Sequence, residues 1–534
     1  MGEVIDSPAL CGAIALSLAG CSLVLDREPV QCETADDCLA LGPDFAGTVC
    51  GADKLCVEAG ECQTNADCTA TLGADSICRK VDHTCAPLFS EDCTTVEGDV
   101  QHDEAIIIGM MSATTGAGAP VGTAMQNSVR LAYSEFADFA LGLPGGEGGT
   151  PRPLAVIGCD EYADAERAAR HLIDTVGVPV IIGPSESGAV LDVALLVSIP
   201  AGVLIMSPSA TSPAITGLDD DNLVWRTAPS DAIQAVPLTL LVERFEADVR
   251  LDLGLDPAEA IRLAVVSKAD AYGTGISEAV LEILEFNGKD PLENGSDFFQ
   301  RIYAGPAEDP SFDAVAIAAE LTSFAPHVVV LLGTEESVSI LAALENAWPG
   351  ALPPPRYVLT GWGKTPQTLE LIGSANDELR SRILGAAPGR KNENFDKFVL
   401  RYKGAFGDVP STFGASNAYD AAYVVAYAIT ASGDAPLVGG GIATGFGMTV
   451  GGAQLIDVGP NPINQALGRL RGGEAIDFSG ASGPLDFDLT IGEALSDIDV
   501  WCVVRNPMGD PIFESSGQYY DGVAQVLVGT IDCP

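Results

Sequence analysis

The chain runs to 534 residues, beyond the roughly 250–300 at which a single hydrophobic core stops growing, so several domains are expected. Apolar residues make up 47% of it, enough for real cores. The 27 basic against 74 acidic residues leave a formal net charge of −47, which repels phosphate backbones and anionic lipid and argues against nucleic-acid binding and electrostatic membrane docking.

The fourteen cysteines are unevenly placed. Nine lie between Cys32 and Cys93, and only Cys159, Cys502 and Cys533 follow. Cysteine this dense points to an oxidising compartment, and the N-terminus carries a matching export mark. The segment ALCGAIALSLAGCS is a short apolar run ending in Leu18-Ala19-Gly20-Cys21, which resembles the lipobox of bacterial lipoproteins. The resemblance implies cleavage before Cys21 and lipidation of its thiol. Ser22 after it implies retention at the outer rather than the inner membrane. Glu3 and Asp6 stand where a positive n-region is usual, a departure from that pattern. The run is too short to span a bilayer as a permanent helix, and a lipid is the only anchor expected.

Two four-cysteine repeats come next, C-x5-C-x11-C-x5-C from Cys32 and C-x5-C-x9-C-x6-C from Cys62. Both contain Thr-x-x-Asp-Cys, at Thr34 to Cys38 and Thr64 to Cys68. Zinc modules favour C-x2-C pairs, which are absent, so disulfides are the better account and no metal site is expected. Each unit is too small to bury a core without its bridges. Four cysteines allow three pairings, which spacing does not resolve. A stapled spacer is favoured over a protein-binding module, since no aromatic cluster marks an interface. Setting aside Cys11 in the signal and Cys21 leaves twelve cysteines. Cys502 and Cys533 flank the C-terminal strands and are expected to pair. Cys93 is expected to reach Cys159 and tie the module to the main body.

From Asp103 the texture changes. IIIGMMSATTGAGAPVG, Ile106 to Gly122, reads as a buried strand running into a glycine-rich loop, and Met125, Val129, Ala132 and Phe136 then form one stripe of a helix. Gly116, Gly118 and Gly122 nearly make a dinucleotide fingerprint, and Asp160 mimics its ribose-binding acid. However, Ser-Ala-Thr-Thr separates the strand from the first glycine, and Pro120 interrupts the phosphate-cradling turn. The segments PLAVIGCDEYAD, VPVIIGPSESG and AGVLIMSPSATSP repeat strand then loop, with helices between them. After VWRTAPSD the pattern restarts with RLAVVSKADAYGTG, PHVVVLLGTEESVSILAALENA and PRYVLTGWGK. Regular alternation of this kind predicts two doubly wound α/β lobes of parallel strands, with a ligand cleft where strand C-termini face each other.

With SNAYDAAYVVAYAI and FSGASGPLDFD later in the chain, the ordered set of segments resembles the type I periplasmic binding proteins, in particular the leucine/isoleucine/valine-binding branch, from about Glu104 to about Val504. The resemblance implies two lobes joined by three crossings that close on a small ligand. The expected organisation is a signal and lipobox at 1–21, a cysteine module at 22–95 and a binding domain at 104–534. Lobe 1 takes about 104–229 and 385–483; lobe 2 takes about 230–384 and 484–534. The resemblance also assigns the site. Ser187 and Gly188 of GPSESG and Ser209 and Thr211 of SPSAT would hold a carboxylate, and Tyr272 of DAYGTG would close over the ligand. Ser and Thr at such loop–helix junctions also serve as plain N-caps. The family's ammonium-binding acid is replaced by Trp362. Glu335 or Glu336 in the loop after VVVLLGT would then take over the cation, or the ligand lacks an α-amino group.

Catalysis has little support. The four histidines, His83, His102, His171 and His327, sit on no candidate cleft loop, and GPSES has Ser187 where a nucleophile elbow needs glycine. The expectation is an exported binding protein without cofactor, feeding an ABC transporter permease or reporting to a membrane sensor. The alternatives are a nucleotide-binding oxidoreductase and a scaffold with a vestigial cleft.

Overall fold

The computed structural model describes residues 41–42, 48–50, 56–58, 62–145, 149–256, 258–407 and 414–533. The signal run, Cys21, Cys32 and Cys38 lie outside the described residues. The chain divides into two compact units, Met1–Leu88 and Phe89–Pro534.

In the first unit the second cysteine repeat pairs Cys62 with Cys78 and Cys68 with Cys85, first with third and second with fourth. The Thr-x-x-Asp-Cys segment has a local cause. The Asp67 carboxylate accepts from the backbone N–H groups of Gln63 and Thr64, each at 2.9 Å, at the start of the helix Asn65–Leu72. These bonds hold the Asp67 carboxyl below its usual range. The helix start is thereby fixed and Cys68 is presented for its bridge. The strands Ser76–Cys78 and Cys85–Pro87 pair antiparallel, as do Thr48–Cys50 and Cys56–Glu58.

The second unit contains two eight-stranded sheets. The first runs in the spatial order Asp486–Asp488, Glu493–Leu495, Val224–Arg226, Leu204–Ser207, Val180–Ile182, Ile106–Ser112, Leu154–Asp160, Cys93–Gly98. Its two outer strands are antiparallel and the six between them parallel. The second runs Phe298–Tyr303, Leu263–Lys268, Val328–Leu332, Arg356–Leu359, Ile383–Pro388, Ile498–Arg505, Pro511–Asp521, Val526–Val528, with the first five parallel and the rest antiparallel. Helices cover both faces, which is why LAVVSK and VVVLL are buried at every position instead of alternating. This is the two-lobed α/β architecture expected from the sequence.

The lobe boundaries differ from expectation in three places. Strands Asp486–Asp488 and Glu493–Leu495 complete the first sheet, so the chain returns to lobe 2 near residue 497 and not at 484. The cause is a buried ion pair: Glu493 receives a guanidinium N–H from Arg226, both side chains at most 5% exposed. Ile383–Pro388 belongs to the second sheet throughout, so the middle crossing begins after 388 rather than at 385. Cys93 lies on the edge strand of lobe 1, opposite Cys159 and bonded to it. That bridge is therefore internal to the main body and does not tie the cysteine module to it. Cys502 is bonded to Cys533 in lobe 2.

The crossings are held by side chains. Thr227 and Asn417 exchange two bonds, hydroxyl to carbonyl at 3.1 Å and amide to carbonyl at 3.0 Å. Gln234 donates to the Ala386 carbonyl at 2.9 Å, linking the first crossing to the second. Asp420, fully buried on the helix Ala415–Ala431, accepts from the N–H groups of Ala481 and Ser482 and from the Ser482 hydroxyl. No helix among the described residues is long and apolar enough to cross a membrane.

Candidate functional site

The site forms where loops leave the C-terminal ends of the parallel strands, the only rim at which a doubly wound sheet leaves a crevice. In lobe 1, Glu161 follows the strand Leu154–Asp160 and is buried under the next loop. It accepts from the N–H of Ser185 at 2.9 Å, the N–H of Glu186 at 3.1 Å and the Ser185 hydroxyl. Burial, with Glu186 beside it, pushes this carboxyl up to about 8. Glu161 thus sets the shape of GPSESG, which places Ser187 at the first turn of the helix Ser187–Val193 and leaves Gly188 facing open space. The Ser187 hydroxyl accepts from the Ser212 N–H at 3.3 Å, and the Ser209 hydroxyl donates to the Ser185 carbonyl at 2.7 Å. The two loops are locked side by side. Arg226 supports them from below, donating to the Ser212 carbonyl at 2.9 Å.

Thr211 departs from its expected role. Its hydroxyl proton is given to Asp231 at 2.9 Å, while the Asp231 N–H donates to the Thr211 carbonyl at 2.8 Å. Asp231 begins the helix Asp231–Leu253, just after the first crossing, and its side chain is wholly buried. One carboxylate oxygen, Oδ1, has no hydrogen-bond partner among the described residues. Burial pushes the Asp231 carboxyl up to about 7, against the pull of Thr211 and Arg226. An unpaired carboxylate oxygen in such a place is costly unless a donor arrives. RTAPSD contains this residue, but an acid at the first turn of a helix reads equally well as a dipole partner, so sequence alone did not single it out.

In lobe 2, Tyr272 is buried near Asp231. Burial first, then the Asp231 charge, raises its phenol well above the usual range, opposed by a hydrogen bond with Thr360. The lobes touch here. A Cβ on Gly275, one turn along the Tyr272 helix, would lie 2.8 Å from Ser212 Oγ and 2.9 Å from Pro213 Cδ of lobe 1. The rim around this contact is acidic. Glu186 of lobe 1 is raised by burial and lies within electrostatic reach of Glu335, Asp270 and Glu308 of lobe 2, with Lys268 offsetting them. Lys268 bonds to Asp270 at 3.0 Å, Glu308 at 3.3 Å and Thr334 at 3.3 Å.

Of the residues expected to line the site, Ser187, Gly188, Ser209, Thr211 and Tyr272 come from loops that meet at this contact. Glu335 sits on the rim, partly buried, its carboxyl raised by burial with Glu336 adding to the rise. Glu336 is consumed locally, accepting from the Tyr303 hydroxyl at 2.7 Å and from Thr334. Trp362 packs against the lobe 2 core, and its backbone N–H donates to the Thr360 hydroxyl oxygen at 3.4 Å.

The glycine loop after Ile106–Ser112 has another use than a phosphate. Asp160 accepts from the Thr114 N–H at 2.8 Å, the Tyr162 N–H at 3.1 Å and the Thr115 hydroxyl. The acid that resembled a ribose partner instead ties down the loop. Gly122 is required because a Cβ there would fall 1.8 Å from the Ala113 carbonyl oxygen.

The family profile described as periplasmic binding protein matches residues 105–451. Among solved structures, the chain is similar to a leucine binding protein from Thermotoga maritima, at 20% identity and TM-score 0.56, over 77% of this chain and 98% of that one. It is similar to a branched-chain amino acid transporter substrate binding protein from Streptococcus pneumoniae, solved in complex with isoleucine, at 20% identity and TM-score 0.55, over 77% and 99%. A solute binding protein of an ABC transporter from R. palustris, in complex with 4-hydroxybenzoate, aligns at 15% identity and TM-score 0.56, over 77% and 96%. A comparison with curated protein sequences finds no match.

Proposed function

The chain belongs to the periplasmic binding protein family, and we propose that it is an exported, lipid-anchored member. In this reading its two lobes close on a small ligand carrying both a carboxylate and an ammonium group, an amino acid or close analogue. Bound ligand would be handed to an ABC-type permease or reported to a sensor. The observation that carries the reading is Asp231 Oδ1, buried at the lobe contact beside Thr211 and Tyr272 and without a partner among the described residues. An ammonium group satisfies it and supplies the cation site that Trp362 had left vacant in the sequence. Ser187 and the Ser185–Gly188 loop remain for the carboxylate, a group shared by the isoleucine and 4-hydroxybenzoate named for the structural neighbours.

A calorimetric panel of amino acids, their deaminated acids and their amides tests this on wild type and Asp231→Asn. Losing one charge-assisted hydrogen bond costs about 1.5–3 kcal/mol, ten- to a hundredfold in affinity. Amino acids should therefore bind at least tenfold tighter than their deaminated acids, and Asp231→Asn should erase the difference. Equal binding of both classes by wild type would remove the ammonium from the reading.

A further inference from the structure

A cavity of about 370 Å³ lies wholly within lobe 1, on the flank of its sheet. Its floor is Leu154 and Val156, from the first half of the strand Leu154–Asp160, and its end wall is Glu97, Gly98 and Asp99, where the edge strand finishes. The helix Ala119–Ala140 closes the other side with Arg130, Tyr133, Ser134, Ala137 and Asp138, the three- and four-residue spacing of one helix face. The loops of the ligand site leave the opposite end of the same strand, about 20 Å from Leu154 at the usual rise per residue. The two sites share no residue.

Gly98 shapes the end wall. Its φ is +89°, and a Cβ there would meet the Leu154 carbonyl oxygen at 2.4 Å. Glycine therefore lets the edge strand turn and bring Asp99 to the cavity.

Three carboxylates and one guanidinium line the space. Arg130 is engaged already: it forms an ion pair with Glu97, donates to Asn127 Oδ1 at 3.2 Å and lies over the Phe406 ring at 5.5 Å. The Asp99 and Asp138 carboxylates have no ion pair and no hydrogen bond among the described residues. On a chain of net charge −47, two such acids alone would be ordinary solvated surface.

Tyr133 makes the difference. It is 5% exposed, it lines the cavity, and its hydroxyl has no hydrogen-bond partner among the described residues. Burial raises its pKa, so the group stays a neutral O–H with unused lone pairs. A buried hydroxyl without a partner is costly, and one on a cavity wall is satisfied by what enters. An ammonium has three donors, matching in number Asp99, Asp138 and the Tyr133 oxygen. A carboxylate would face two unpaired negative charges instead. Among the described residues no three acidic groups here come close enough to share a metal ion. The rest of the wall is apolar, with Ala137 and Leu141 facing the same space as Leu154 and Val156.

We propose that this cavity is a binding site for a small organic amine, separate from the cleft. The ammonium is held by Asp99, Asp138 and the Tyr133 hydroxyl, and the apolar body lies over Leu154 and Val156.

The test titrates 2-phenylethylammonium into the full protein by calorimetry, in about 0.15 M salt to screen the general negative field. The controls are 2-phenylethanol, which lacks the charge, and ethylammonium, which lacks the body. The first probe should bind at least tenfold tighter than either control. Asp99→Asn and Asp138→Asn should each weaken it about tenfold. Tyr133→Phe should weaken it several-fold while the melting temperature holds or rises, because the variant removes a buried polar group left unpaired without ligand. Asp231→Asn should leave amine binding unchanged, so failure of this proposal is distinguishable from failure of the amino-acid reading. No binding of 2-phenylethylammonium at about 10 mM or below, equal binding of ethylammonium, or wild-type affinity in Tyr133→Phe each overturns it. Loss in Asp231→Asn with retention in Asp138→Asn would place the probe in the cleft and overturn it as well.

Discussion

Gly275→Ala separates closure from folding. The new Cβ would lie 2.8 Å from Ser212 Oγ across the lobe contact, and must move out to about 3.4 Å for ordinary packing, a displacement of about 0.6 Å. Overpacking of that kind costs about 1–3 kcal/mol, and only the closed state incurs it, because Ser212 and Pro213 belong to the opposite lobe. The closed population, and with it ligand affinity, should fall about 5- to 150-fold. In the open state the residue is an ordinary position of the helix Ala271–Ile283, where alanine is better than glycine by about 0.5–1 kcal/mol. The variant should therefore melt higher without ligand yet bind worse. Calorimetry with the best ligand of the amino-acid panel reads the first change, and small-angle scattering of the ligand-bound protein reads the residual opening. Gly273→Ala is the contrast, since its Cβ would meet the Lys268 carbonyl oxygen of its own lobe at 2.3 Å and should lower stability directly. Unchanged affinity in Gly275→Ala would refute the reasoning.

Asp231 and Asp420, each raised to about 7, and Glu161, raised to about 8, bind protons more tightly folded than unfolded. Their contribution to stability is complete below the unfolded carboxyl pKa of about 4 and is lost as pH rises through 7 to 8. Urea midpoints should fall across that window, and Asp420→Asn should flatten the slope; an identical slope in that variant contradicts the assignment. Thiol titration of denatured, unreduced protein should find Cys93, Cys159, Cys502 and Cys533 unreactive. Removing the Cys502–Cys533 bridge, which spans 31 residues, should cost about 3–4 kcal/mol on the chain-entropy account, measured as a drop in unfolding free energy. Cys21→Ala should move the protein from the membrane fraction to the soluble one; unchanged fractionation removes the lipid anchor.

The alternation of strands and helices was legible because both sheets are parallel and fully covered, so each strand prints as a short apolar run ending in a loop. The loops carrying Ser187, Ser209 and Thr211 were legible for the same reason. The return of residues 486–495 to lobe 1 was not. Its strands are three residues long, and their placement depends on Glu493 meeting Arg226, some 270 residues earlier. Asp231 was visible but ambiguous, because a first-turn acid has a local explanation and its unpaired oxygen exists only in the packed structure.

The bridge between Cys93 and Cys159 bears on how the molecule carries load. The chain enters lobe 1 along an edge strand, the position most easily peeled from a sheet, and this strand is covalently fastened to its neighbour at its first residue. Arg167 adds a two-pronged grip on Asp92, at 2.6 and 2.7 Å, one residue earlier. Tension arriving from the N-terminal side therefore passes at Cys93 into the body of lobe 1 and never reaches the three crossings. Lobe 1 would then be mechanically the fixed jaw and lobe 2 the free one: in the lipid-anchored protein proposed above, a pull on the anchor would favour neither the open nor the closed state.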